Sequence, residues 1–185
     1  AWSTGNTGFP MIDASMRCLM KKGYLNFRMR AMLATFWSFT LWQDWRKGAT
    51  YLAKLFLDFE PGIHYPQFQM QAGMTGYHPL RIFNPIVQAK KYDDYGIFIR
   101  TWVKELANVP DEFLATPWKL SPMEQGFYQF QLGKDYPQPI VDYDKATKEA
   151  KDKYWKIRNS EEVRAGLPAL WKKHSLPQDI RSYEE

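Results

Sequence analysis

Apolar side chains recur at three- and four-residue intervals through most of the first two-thirds of the chain. That period predicts helices, where strict alternation would predict strands. The segment "FPMIDASMRCLMKKG" puts Ile12, Met16, Leu19 and Met20 at helical spacing, with Pro10 suited to a first turn and Gly23 to a stop. The next run, "YLNFRMRAMLATFWSFTLWQDWRKG", is apolar or nearly so on several sides at Phe27, Met32, Leu33, Phe36, Trp37, Thr40 and Trp42. It predicts one long central helix over 24–47, closed by Gly48. Arg28 and Arg30 fall near its start, where burial is expected, and a buried charge needs an anionic partner. A third helix is expected over 50–59, ending ahead of Glu60-Pro61.

The stretch "FEPGIHYPQFQMQAG" is harder to place. It mixes three glutamines and two prolines with large apolar residues. These are too many amides for a core helix and too many bulky side chains for a loop, so a bend and short helix lining a site competes with plain packing. "GMTGYHPL" reads as a loop, and "NPIVQAKKYDDYG" as a helix capped by Asn84 with Pro85 in its first turn. Phe98, Ile99, Trp102, Val103 and Leu106 mark a helix near 97–107. Residues 110–139 are rich in proline, glycine and glutamine, and "FYQFQLG" reads as a short extended piece. A charged helix follows at about 144–159. The tail beyond is polar with isolated Leu170 and Trp171, either a docking helix or loosely held. The fold class is all-α: a domain over 1–155 and a C-terminal tail over 156–185.

Composition narrows the chemistry. Aromatic residues reach 17%, with 8 Trp and 11 Tyr, which fits a rich core in which Trp and Tyr also carry a polar atom that wants a partner. A net charge of +5 permits nucleic acid, an anionic cofactor or an anionic membrane surface without choosing among them. The single cysteine, Cys18, excludes an internal disulfide and any four-cysteine metal site, and fits a reducing compartment. No apolar run is long enough to span a bilayer and no signal peptide is present, so an intracellular, cytoplasmic location without a membrane partner is expected. Phosphate-loop, dinucleotide-fold, nucleophile-elbow and zinc-helix motifs are absent. His64, His78 and His174 lie in unrelated contexts, so no metal site is expected.

The charged residues in apolar surroundings carry more. Arg30 and Asp58 are placed to meet across an antiparallel helix pair. They form either a structural ion pair or a clamp for the donor–acceptor edge of a flat heterocycle.

The blocks "GNTGFPMIDASMR", "DWRKG", "RIFNPIVQ", "KYDDYGIFIRTWVKEL", Pro117-Trp118 and "YPQPIVDY" together resemble the C-terminal portion of the FAD-binding helical domain of the photolyase/cryptochrome family. The blocks stand in family order at near-family spacing from Trp2 to Tyr154. The resemblance implies that Arg30 and Asp58 sit beside the flavin ring, with Glu60 near ribose and ring. It aligns Asn26-Phe27-Arg28 with a family motif of the H-N-R type at the cofactor. It implies backbone contacts to DNA from Arg28 and Arg81, and a middle electron carrier at Trp45.

The chain also departs from that family. His64 stands where an asparagine usually faces the reactive flavin nitrogen, and could donate a proton or hydrogen bond there or to a lesion. Phe68-Gln69-Met70 replaces a W-x-W pair whose first member passes an electron and whose second packs on the lesion. Phenylalanine is much harder to oxidise than tryptophan, so the carrier chain is interrupted at Phe68. Trp37, Trp42 or Tyr65 offers a detour, with Trp42 and Trp45 expected as neighbours on one helix face. Met70 removes a stacking platform worth roughly 1–3 kcal/mol per base, although methionine still packs against a base.

The resemblance thus implies a divergent flavoprotein that takes FAD and, under blue light, repairs pyrimidine dimers in DNA. A photoreceptor of cryptochrome type, or a split structural module, are the alternatives. The chain reads as a fragment lacking the upstream part of the domain, so that missing part or a complementary chain is expected as a partner.

Overall fold

The computed structural model describes residues 1–75 and 80–174. The expectations attached to 76–79, including His78, and to the side chains of Trp171 and His174 lie outside the described residues. Two compact units are present, 1–146 and 147–185.

The first unit is built of helices. After a single turn at Trp2–Thr4, α1 spans Pro10–Lys22 with proline in its first turn. Gly23 ends α1 in the left-handed region at φ 68°, its N–H donating to the Leu19 carbonyl. One face of α1 is fully buried at Ile12, Met16 and Leu19, whereas Met20, expected on that face, is 43% exposed.

The long central helix does not form. α2 covers only Phe27–Thr35, capped by the Asn26 side chain. The chain then widens into a π turn over Phe36–Thr40, where the Leu41 N–H reaches the Phe36 carbonyl at 2.9 Å. It breaks at Trp42, which has a positive φ of 47°. Asp44 restarts it by capping α3, Trp45–Ala53. Gly48, expected as a stop, lies buried inside α3. A Cβ there would stand 2.6 Å from Cδ1 of Trp37, so glycine is what lets that indole lie against the helix. Trp37 is held in place by its Nε1–H donating to the Asp44 carbonyl at 2.9 Å. The expected third helix over 50–59 is thus the second half of α3 followed by a turn, and Asp58 lies in the connection beyond it.

Next come α4, Pro61–Gln71; α5, Pro85–Tyr92, capped by Asn84; and α6, Ile97–Trp102. A single turn at Lys104–Leu106 completes what the pattern reads as one helix. Short helices α7, Asp111–Leu114, and α8, Pro122–Phe127, cross the proline-rich region. "FYQFQLG" is therefore partly helical, and its extended part is a lone bridge between Leu132 and Tyr136. α9, Tyr143–Arg158, carries the chain into the second unit, which also holds α10, Glu161–His174. Among the described residues there are no strands beyond that bridge, and no helix is long and apolar enough to cross a membrane.

The core of the first unit is aromatic and aliphatic, with Phe9 edge-on to Phe36 and Trp118. A buried polar clasp fixes its ends. Asp13, fully buried, accepts from Thr7 N–H at 2.8 Å, Thr7 hydroxyl at 2.7 Å and Gly8 N–H at 3.1 Å. Tyr136 donates its hydroxyl to the same carboxylate across 123 residues of sequence. Burial pushes the Asp13 carboxyl above its usual range while these donors pull the other way. Four donors on one carboxylate are what make its burial tolerable.

Candidate functional site

A cleft of about 270 Å3 opens between α2, α3 and α4. Small residues on α2, Ala31 and Ala34, keep it from being filled by the helix itself, and Leu52, Phe56 and Phe68 supply apolar walls. One edge is charged. Arg30 reaches it from the first turn of α2, held by its Nε–H donating to the Leu25 carbonyl at 2.7 Å. Its guanidinium lies 4.0 Å over the Phe56 ring and 5.2 Å from the Tyr24 ring centre, a cation–π arrangement that fixes its plane.

Asp58 arrives by a different route. Leu57 N–H donates to the Gly23 carbonyl at 2.9 Å, tying the connection after α3 to the end of α1. Asp58 then accepts from Arg30 Nη2 at 2.8 and 3.0 Å. The pair expected from the sequence therefore exists, although it joins a helix to a loop and not two helices. Two residues on, Glu60 caps α4, its Oε2 accepting from Ile63 N–H at 2.7 Å.

His64 lies on α4 among Phe56, Phe59, Tyr65 and Phe68. Its Nε2 is 2.8 Å from the Ala49 carbonyl. A carbonyl only accepts, so Nε2 carries the proton and a neutral ring is left with an acceptor at Nδ1. Burial holds the ring below the ordinary imidazole value, with the Ala49 bond opposing and the Arg30 charge adding to the shift. The donor role expected of His64 is thus spent on the backbone, and towards a ligand the neutral ring has only an acceptor to offer.

The cleft gathers Phe27, Arg30, Asp58, Glu60, His64 and Phe68 from the residues singled out in the sequence. It does not gather Asn26 or Arg28, which line a separate cavity, nor Trp42, Trp45, Met70 or Arg81. At 100° per residue Met70 lies about 20° around α4 from Ile63, at the edge of the lining face and about a quarter-turn from its centre. Trp42 and Trp45 are not neighbours on one helix: Trp42 sits in the break, against Phe39, while Trp45 opens α3. Trp45 stacks on Phe68 at 6.4 Å and 29°, with its indole N–H buried and without a hydrogen-bond partner among the described residues. Of the detour candidates, Tyr65 stands 5.4 Å edge-on to His64, and Trp37 packs with Trp2 at 4.7 Å. Arg81 is exposed and lies over its neighbour Phe83.

Ten lining residues were not foreseen singly, among them Tyr24, Ile63, Gln67 and Gln71. Gln67 and Gln71 are four apart and share a face of α4 with Ile63, so the surplus of amides in that stretch was the signal. No group of three or more metal-ligating side chains that could hold an ion occurs among the described residues.

The site is a small aromatic cleft in an all-α domain, edged by a guanidinium–carboxylate pair. Residues 1–156 match the family described as the FAD binding domain of DNA photolyase, and the chain belongs to that family. A deoxyribodipyrimidine photo-lyase of Alkalihalophilus pseudofirmus is 41% identical over 152 residues, covering 81% of this chain and 32% of that protein. A cryptochrome DASH of Natronomonas pharaonis is 39% identical, covering 77% of this chain and 30% of its own length. Among solved structures, a bacterial class III photolyase from Agrobacterium tumefaciens superposes with a TM-score of 0.81 at 34% identity, over 86% of this chain and 34% of that one. The chain thus spans about a third of the length of the relatives it matches.

Proposed function

We propose that the cleft receives the isoalloxazine ring of FAD, and that the chain serves a blue-light-dependent flavoprotein of photolyase type acting on pyrimidine dimers in DNA inside the cell. The single observation that carries this is the Arg30–Asp58 pair at the edge of an otherwise apolar recess. The residues fit the group. A ring imide needs an acceptor, which Asp58 supplies from its half-exposed carboxylate, and a reduced ring needs a nearby cation, which Arg30 supplies. Ala31, Ala34, Leu52 and Phe56 offer apolar surface to the ring faces, while Glu60, Gln67 and Gln71 offer polar atoms at the margin. FAD, when bound, supplies light-driven one-electron chemistry, and the side chains orient it and exclude water.

At about 270 Å3 the recess lies just under the usual range of roughly 300–1,000 Å3 for a complete ligand pocket. That size suits the ring end of the cofactor, with its phosphates and adenosine held by the missing upstream part of the same protein or by a complementary chain. The domain reading keeps 1–155 as the partial FAD-binding module and 156–185 as a tail. Arg28 and Arg81, both exposed, are the proposed phosphate contacts to DNA, each contributing affinity without sequence preference.

A second reading, a cryptochrome-like photoreceptor without repair, is favoured by Phe68 and by Met70 standing outside the cleft lining. The absorption spectrum of the purified chain, with and without its upstream part, tests the first claim. A flavin band confined to the longer protein supports a shared bowl, and no band in either rejects the flavin assignment. Illumination with dimer-containing oligonucleotides separates the readings. Bound, photoreducible flavin with no repair leaves the photoreceptor.

A further inference from the structure

α2 has a cavity on each side. Arg30, Ala31 and Ala34 face the cleft, whereas Arg28, Met29 and Met32 line a separate recess of about 540 Å3, and Phe27 borders both. The lining of the second recess comes from α1, α2, α5 and α6, and of it only Arg28 is assigned a contact above, to DNA phosphate. Met11, Met29, Met32 and Phe98 make it largely thioether and ring, a surface that adapts to flat apolar partners. The Arg28 guanidinium lies 4.5 Å over the Tyr92 ring, which keeps it in place. Among the described residues it makes no ion pair. Gln88 lines the same recess, and its Oε1 is buried without a hydrogen-bond partner among the described residues. Such an atom costs stability unless something meets it.

We propose that this recess binds a single nucleotide, its base on the methionine surface with an edge hydrogen-bonded to the Gln88 amide, and its phosphate held by Arg28. Three chemistries must be met at once: a flat apolar face, an edge with donors and acceptors, and an anion. A lipid chain leaves the amide unmet, and a sugar phosphate wastes the thioether surface. A nucleotide meets all three, and the volume lies within the ordinary range for ligand pockets. The nucleotide comes either free or as an unpaired residue of a DNA strand, whose neighbouring phosphates the positive chain also attracts. The proposal rests on no contact with flavin, so it stands or falls separately from the cleft.

The test titrates the full chain with AMP, with a short duplex carrying one unpaired adenosine, and with the same duplex fully paired, by calorimetry and by ligand NMR. Saturable binding of AMP, or preference for the unpaired over the paired duplex, is expected, and which of them occurs identifies the source. Gln88→Leu removes the amide and should weaken binding about tenfold. It should also raise the unfolding temperature, because the orphaned polar atom is gone. Tyr92→Ala, an exposed position that does not endanger the core, frees Arg28 from its platform and should weaken binding as well. Absence of binding to both AMP and the unpaired duplex overturns the proposal. Binding that Gln88→Leu and Tyr92→Ala both leave unchanged overturns it equally.

Discussion

Arg30 Nη2 lies 2.8 Å from one carboxylate oxygen of Asp58 and 3.0 Å from the other, so a single nitrogen bridges both. The carboxylate is about half exposed and the guanidinium about a quarter. A pair this accessible contributes little to folding, about 0–1 kcal/mol. Its position at the rim of an apolar cleft points to ligand recognition instead. Asp58→Asn should therefore leave the melting temperature nearly unchanged but cut flavin retention in the protein carrying its upstream part by about tenfold or more, the worth of a hydrogen bond to a charged group. Equal retention in wild type and variant, measured by flavin absorbance after gel filtration, would remove the pair from the site.

His64 gives a pH prediction with a definite sign. Burial makes the folded protein take up a proton on this ring less readily than the unfolded chain does. Its contribution to stability is complete above the unfolded imidazole value, about 6.5, and is lost as pH falls through the lower folded value. The urea midpoint should drop as pH falls below about 6.5, and His64→Gln should flatten that drop. Parallel curves for the two proteins would mean that the ring titrates normally.

Gly48→Ala sets two effects against each other. Alanine favours a helix interior by about 1 kcal/mol over glycine. The added methyl would meet Trp37 Cδ1 at 2.6 Å and Nε1 at 2.8 Å, and that indole is tethered to Asp44. Overpacking of this kind costs about 1–3 kcal/mol, so the net change should be destabilising. Thermal unfolding decides it, and a stabilised variant would show that Trp37 can move aside.

Phe68 stands between the cleft and Trp45 and is nearly fully buried. Phe68→Trp puts an oxidisable ring there at an overpacking cost of about 1–3 kcal/mol. Transient absorption on flavin-loaded protein should show a larger tryptophanyl radical signal in the variant. An unchanged signal would mean that the existing aromatic residues already carry the electron around Phe68.

Helix starts and stops marked by special residues were legible in the chain: Pro10 and Gly23 bracket α1, and Asn84-Pro85 opens α5. The break between α2 and α3 was not, because "FWSFTLW" contains neither glycine nor proline and is apolar all round. That break depends on Trp37 finding the groove at Gly48 and on Asp44 capping the next helix, contacts that periodicity does not encode. The Arg30–Asp58 pair could be anticipated because an arginine in an apolar frame demands an anion. Its geometry could not, since it hangs on the Gly23–Leu57 backbone bond. The recess beside Arg28 is assembled from four helices, so no local pattern announces it.

Tyr136→Phe removes one of four donors from a buried carboxylate. A loss of about 1–3 kcal/mol is expected, read as a fall in unfolding temperature. A change within error would mean that the other three donors suffice.

The bond between Tyr136 and Asp13 also bears on biosynthesis. The carboxylate on α1 receives its last donor only after 123 further residues have been synthesised. Until then, α1 leaves the ribosome with an incompletely satisfied acid in what will become the core. Closure across so long a loop carries a large entropic toll and is slow. The first unit should therefore complete its folding only once the segment around Tyr136 clears the exit tunnel, leaving nascent intermediates open to chaperones until then.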